Sequence, residues 1–200
     1  MPRSFATLAP LDVRLFLSRR VGDAPFDTPP WLGNLLRIGA RCRLKRPAGG
    51  RRALWQAMKH HGYDFLKGAP PMDQLAQRAC VDGAIPARHA LEDARWGAVL
   101  QSGLPISVVD ADRLAGPWTL RLGEEGEALD GIDLHRVPCV CDDDGPVASP
   151  LGDAERAGTS PQTRRALSVV WGAGDTLHIN RTTAWYSETL ERVGCETLPP

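Results

Sequence analysis

Gly103-Leu104-Pro105-Ile106-Ser107-Val108-Val109 is the stretch where the apolar pattern of this chain changes period. Upstream of it, apolar residues recur every three to four positions; downstream they alternate or run together in short stretches. Leu91, Ala94, Ala98 and Val99 share one helical face with Gly103 as its stop, so a helix is predicted over His89–Ser102. Met72, Leu75, Ala76, Ala79 and Cys80 fall at i, i+3, i+4, i+7 and i+8 between Pro70-Pro71 and Gly83, which predicts a second helix. Leu54, Trp55 and Met58 mark a short amphipathic turn that stops near Gly62. Past Gly103, Ile106–Val109, Trp118–Leu122, Val137–Cys141 and Ala166–Trp171 read as strands separated by Gly, Asp and Pro. Asp175–Ile179 is a further candidate strand, and a last helix is expected from about Thr183 to Val193.

Helices thus precede most strands, and no regular β-α-β alternation exists. That pattern points to a single-domain α+β fold and argues against a doubly wound sheet. The first fifty residues are expected to be irregular. Their one strand is Asp12–Leu17, where Val13, Leu15 and Leu17 alternate with Asp12, Arg14 and Phe16. The expected division is an N-terminal extension at 1–50, packed on a domain at 51–200.

Composition fits a chain that folds on its own core: 200 residues, 42% apolar and 24% charged. The longest stretch free of Asp, Glu, Lys and Arg is Trp96–Val109, too short and too polar to span a bilayer, so no membrane partner is expected. Five cysteines without framework spacing point to reduced thiols and a cytoplasmic protein. The zero net charge hides a division: residues 1–100 carry 16 basic and 8 acidic side chains, and residues 101–200 carry 8 and 16. Seven of the basic residues, Arg37, Arg41, Arg43, Lys45, Arg46, Arg51 and Arg52, form a stretch with no acid. It reads either as a solvated loop or as a patch that contacts RNA phosphates.

The other clusters are weaker. His135, Cys139 and Cys141 have the residue types of a metal site but not the spacing of a zinc knuckle, and two cysteines at i and i+2 of a strand serve equally as small core residues. Asp142-Asp143-Asp144-Gly145 lacks the spaced ligands of a calcium loop and reads as a solvated turn. No metal and no cofactor is expected. Glu155 stands out, in a Gly-bounded loop between two expected strands, where a carboxylate can hold an amino group or simply pair with Arg156.

Four segments in order carry a family resemblance. They are Leu91-Glu92-Asp93-Ala94 with Gly103-Leu104-Pro105; Val109-Asp110-Ala111-Asp112-Arg113-Leu114-Ala115-Gly116; Leu120–Glu127 with Leu129-Asp130-Gly131; and Gly152–Leu167, with Glu155, Arg156, Thr159 and Thr163. Over roughly residues 53–193 the chain resembles the tRNA-editing domain (B-three/B-four) of the phenylalanyl-tRNA synthetase beta subunit, and more closely the free-standing proteins built from that domain. The resemblance implies a mixed or antiparallel, barrel-like sandwich flanked by helices. It also implies a hydrolytic sieve that removes a wrong amino acid from tRNA, because an apolar pocket cannot strongly reject an isostere with one added hydroxyl.

On that resemblance Glu155 takes the substrate-recognising position, and Gly152, Thr163 and Trp96 shape the pocket. The family pattern has His where this chain has Ser107, and Asn where it has His89 and Trp96. Ser107 and His89 are accordingly the expected water-positioning groups, with Glu155 as the third catalytic residue. The implied partner is the aminoacylated 3′ end of tRNA. Two other readings stay open: a tRNA- or amino-acid-binding module without hydrolysis, and an enzyme acting on a small amino-acid derivative. Amino acid specificity and oligomeric state are not set by the sequence.

Overall fold

A computed structural model describes residues 8–22, 26–43, 49–63, 78–79 and 81–198, the side chains of 38–43 excepted. Strand β1 is Leu11–Arg20; helices α1, α2 and α3 are Pro30–Arg43, Gly49–His60 and Ala90–Ser102. Strands β2 to β8 are Ile106–Asp110, Thr119–Leu122, Ala128–Leu129, Ile132–Asp133, Pro138–Asp142, Gly145–Ser149 and Gly152–Asp153. Strand β9 (Arg165–Ala173), helix α4 (Thr176–Arg192) and strand β10 (Cys195–Leu198) complete the chain.

The architecture is the expected α+β; among the described residues there are two four-stranded antiparallel sheets and no closed barrel. The first sheet has the order β10-β1-β9-β2 and the second β3-β6-β7-β8; β4 and β5 form a separate hairpin. The apolar run at 166–171 becomes β9, whose two faces serve two cores. Leu167, Val169 and Trp171 point to the second sheet, and Ala166 and Val170 point to the helices. β1 pairs along the length of β9 with Val13 opposite Trp171, Leu15 opposite Val169 and Leu17 opposite Leu167. Those alternating residues face the second sheet, while Phe16 joins the helical core. Helices α1, α3 and α4 cover one face of the first sheet; the second sheet and α2 cover the other.

The turn that begins the opening stretch behaves as read. Gly103 sits at φ +78°, where only glycine is relaxed, and its N–H closes the helix on the Val99 carbonyl at 2.9 Å. A second glycine is needed for packing. A Cβ on Gly172 would stand 2.5 Å from Ile179, where α4 crosses β9.

Three expectations change. The described residues among the first fifty hold more than the one expected strand: that strand, as β1, is an inner strand of the first sheet, and α1 packs on α3. The basic stretch is not mainly a loop, because residues 37–43 lie in α1 and 49–52 in α2. Asp175–Ile179 is not a strand. The Asp175 side chain accepts the His178 N–H at 3.0 Å and caps α4, which therefore begins at Thr176 rather than near Thr183. Of the helix expected around 72–80, residues 78–79 are helical; Met72, Leu75, Ala76 and Cys80 lie outside the described residues. Among the described residues no helix is long and apolar enough to cross a membrane.

Candidate functional site

A cavity of about 560 Å³ opens between the start of α3 and the segment 151–161. Its helical wall is Arg88, His89, Glu92, Arg95 and Trp96; the facing wall is Leu151 to Glu155 and Gly158 to Pro161, with Val108 and Arg113 between. Two sets of bonds hold these walls. On the helix side, the buried Asp93 carboxylate accepts from Thr28 Oγ1 and from the Arg88 N–H at 3.1 Å, which fixes the approach to α3. On the loop side, Asp110 accepts the Thr163 hydroxyl at 2.7 Å, and Thr163 Oγ1 accepts the Ser160 N–H at 2.9 Å.

The floor is ionic and largely buried. Arg95 bridges Glu92 on its own helix and Asp153 on β8, the latter at 2.5 Å, with all three side chains only 10–11% exposed. Glu92 Oε1 also accepts Trp96 Nε1 at 3.0 Å, and the Arg95 guanidinium lies 4.8 Å from the Trp96 ring centroid. Asp153 Oδ2 accepts the Val108 N–H at 3.3 Å. Burial pushes the Asp153 carboxyl up to about 6, against the pull of Arg95 and of the Val108 N–H. Burial also pulls His89 below its ordinary value, against Glu92, Asp93 and a hydrogen bond to the Thr159 backbone, so the ring is neutral at pH 7. Three side chains of this lining carry a buried polar atom with no hydrogen-bond partner: His89 Nδ1, Arg95 Nε and Asp153 Oδ1. Buried polar atoms are nearly always paired, so three unpaired ones in one lining set this region apart from the rest of the fold.

The sequence-derived residues divide on this frame. His89, Trp96, Gly152 and Glu155 line the cavity, Glu155 at its exposed rim. Ser107 does not. It is fully buried, donates to the Ser149 carbonyl at 3.1 Å and accepts from Trp171 Nε1 at 2.9 Å, standing behind Asp153. Thr163 is also behind the wall and acts on it through Ser160. In the basic stretch, Arg37 and Arg52 are exposed, and Arg51 reaches the Gly103 carbonyl at 3.4 Å. None of these three lines the cavity. The side chains of Arg41 and Arg43, and Lys45 and Arg46 entirely, lie outside the described residues.

Two local readings are corrected. Asp142 is not a solvated turn acid: its side chain is fully buried and bound by Arg156 at 2.6 Å and by the N–H groups of Ala115 and Asp144. Arg156 therefore serves Asp142 and not Glu155. Cys139 and Cys141 are core residues with sulfurs 3.5 Å apart, and His135 is exposed.

Sequence reasoning missed Arg88, Arg95, Arg113 and Asp153. The signal for Arg95 was present in Glu92, Arg95 and Trp96 at i, i+3 and i+4. For Asp153 it was a second carboxylate two residues before Glu155 in the same Gly-bounded loop.

No family model matches the chain. Over 127 residues the chain is 30% identical to the phenylalanine–tRNA ligase beta subunit of Bartonella quintana (strain Toulouse). That match takes in 59% of this chain and 16% of the ligase subunit, so the chain corresponds to a short part of a much longer protein. The similarity is weak and points to a distant relationship with that subunit.

Proposed function

We propose that the chain acts on the aminoacyl end of tRNA in trans, as an editing-type hydrolase that cleaves the ester of a mischarged aminoacyl-tRNA. The observation that carries this reading is the cavity lined by a neutral, partly unsatisfied His89 and the Glu92–Arg95–Asp153 cluster, with Glu155 at its rim. Its volume suits an amino-acid moiety with part of a nucleoside. The similarity to a tRNA ligase subunit supplies the substrate class.

In this reading Glu155 holds the substrate's amino group and the His89 ring accepts a proton from the attacking water. Water oxygen adds to the ester carbonyl, the tetrahedral intermediate collapses, and the ribose oxygen leaves with the proton from His89. The products are a free amino acid and uncharged tRNA. Ser107 is a positioning group, tying the Ser149 carbonyl to Trp171 behind the cavity wall. Arg37, Arg52 and the rest of the basic stretch contact the tRNA body. A panel of aminoacyl-tRNAs tests the reading. Release of at least one amino acid is expected, and no release from any of them with enzyme far above substrate rejects it.

One observation favours a second reading. The Ser107 hydroxyl is bonded on both sides and sealed from the cavity, so one of three expected catalytic groups is not available there. A module that binds an aminoacyl end or a small amino-acid derivative without cleaving it needs no such group. Binding of the panel without release identifies it.

A further inference from the structure

Most arginines that flank the cavity are committed to acids. Arg95 is bound to Glu92 and Asp153, Arg156 to Asp142, and Arg165 to Asp112. Arg88 and Arg113 differ. Both are exposed, both line the cavity, and neither has a carboxylate partner among the described residues. They approach from different walls, Arg88 just before α3 and Arg113 in the 3-10 turn that follows β2. Each has a fixed base: the Arg88 N–H is held by Asp93, and Arg113 Nη1 donates to the Gly158 carbonyl at 3.0 Å. That bond leaves the other edge of the Arg113 guanidinium for a ligand.

The charge of the interior decides where an anion can sit. Glu92, Arg95 and Asp153 sum to one negative charge at pH 7, so the depth repels an anion and the two unpaired guanidiniums at the mouth attract it. Guanidinium forks match phosphate oxygens in geometry as well as charge. We infer that Arg88 and Arg113 form a clamp for the phosphodiester beside the 3′ end of a single-stranded RNA whose terminal residue enters the cavity. The clamp rests on the proposed tRNA reading for the identity of its ligand, though not for hydrolysis. It moves the RNA contact nearest the chemistry away from the basic stretch of α1 and α2 to two residues on the cavity walls.

The probe is a fluorescein-labelled ACCA tetranucleotide, its binding followed by anisotropy at several salt concentrations. The double variant Arg88→Ala/Arg113→Ala is expected to weaken binding tenfold or more and to reduce the salt slope by about 0.7, the contribution of one single-strand phosphate contact. Arg88→Lys/Arg113→Lys restores part of the affinity, and Arg181→Ala, at an exposed arginine of α4 that does not line the cavity, leaves it within twofold. Adenosine monophosphate as competitor separates a polynucleotide end from a mononucleotide ligand and is expected to bind far more weakly than ACCA. The inference is overturned if wild type does not bind ACCA, if Arg88→Ala/Arg113→Ala binds as wild type does, or if the mononucleotide binds equally well. Its fate is separable from that of the hydrolase reading. Clamp-dependent ACCA binding without release of any amino acid keeps the clamp and removes the enzyme, whereas hydrolysis with ACCA binding indifferent to both arginines does the reverse.

Discussion

Two carboxylate–guanidinium clusters sit in this fold, Glu92–Arg95–Asp153 at the cavity and Asp142–Arg156 at the β6–β7 turn. The Asp142 cluster is complete: two arginine nitrogens and two backbone N–H groups satisfy the carboxylate, and Arg156 keeps an edge in solvent. Burial alone would raise Asp142, yet Arg156 and the N–H donors hold it below the usual carboxylate range. The cavity cluster is incomplete. Asp153 and Arg95 each keep a buried atom without a partner, His89 beside them keeps a third, and Asp153 is pushed up to about 6. A satisfied network stiffens a scaffold, and an unsatisfied one is tolerated where a ligand completes it. The two kinds of cluster should therefore respond differently to substitution.

The largest expected effect is on turnover. Glu155→Ala should abolish deacylation, a loss of about a hundredfold or more, with an unchanged melting curve because the residue is exposed. Wild-type turnover in this variant removes Glu155 from the site. Asp142→Ala should instead act on stability. It strands two backbone N–H groups and Arg156, and urea titration should show a loss of about 3 kcal/mol. A loss below about 0.5 kcal/mol would show that the turn does not depend on its acid.

A smaller effect separates the clusters by sign. Asp153 faces Arg95, Glu92, Ser107 and the Val108 N–H, and its carboxyl is higher in the folded chain than in the unfolded one. Its contribution to stability is present below the unfolded value and fades as pH rises through about 6. Between about pH 4 and pH 7, Asp153→Asn should gain on wild type by about 2 kcal/mol. Asp142 is displaced the other way, so its contribution is present above the unfolded value and is lost as pH falls through the folded one. The deficit of Asp142→Asn should shrink in acid. Parallel pH profiles for the two variants would erase the distinction.

Much of the fold was legible because β9 and α3 are written in local pattern. The alternation at 13–17 and the run at 166–171 have one physical solution in a sheet covered on both faces. β7 was not legible, since Gly145-Pro146 reads as a turn until pairing with β6 makes it a strand. Asp175 was misread because an acid before apolar residues suits a strand edge and a helix cap alike. Among the residues that line the cavity, Glu155 stood out from its Gly-bounded loop, whereas His89 was named only through the family resemblance. Arg95 could not be given a role, because its second partner, Asp153, lies 58 residues away and meets it only in the folded chain. Ser107 shows the converse. Its sequence position marked it, but Trp171 and Ser149 close over its hydroxyl in three dimensions.

In the proposed reaction the incomplete cluster is where chemistry happens. The most direct measurement is single-turnover deacylation, with excess enzyme, comparing wild type with His89→Ala on whichever aminoacyl-tRNA is hydrolysed. The variant is expected to lose about a hundredfold or more in rate while unfolding within a few degrees of wild type. Deacylation at the wild-type rate by a folded His89→Ala protein would contradict the assignment.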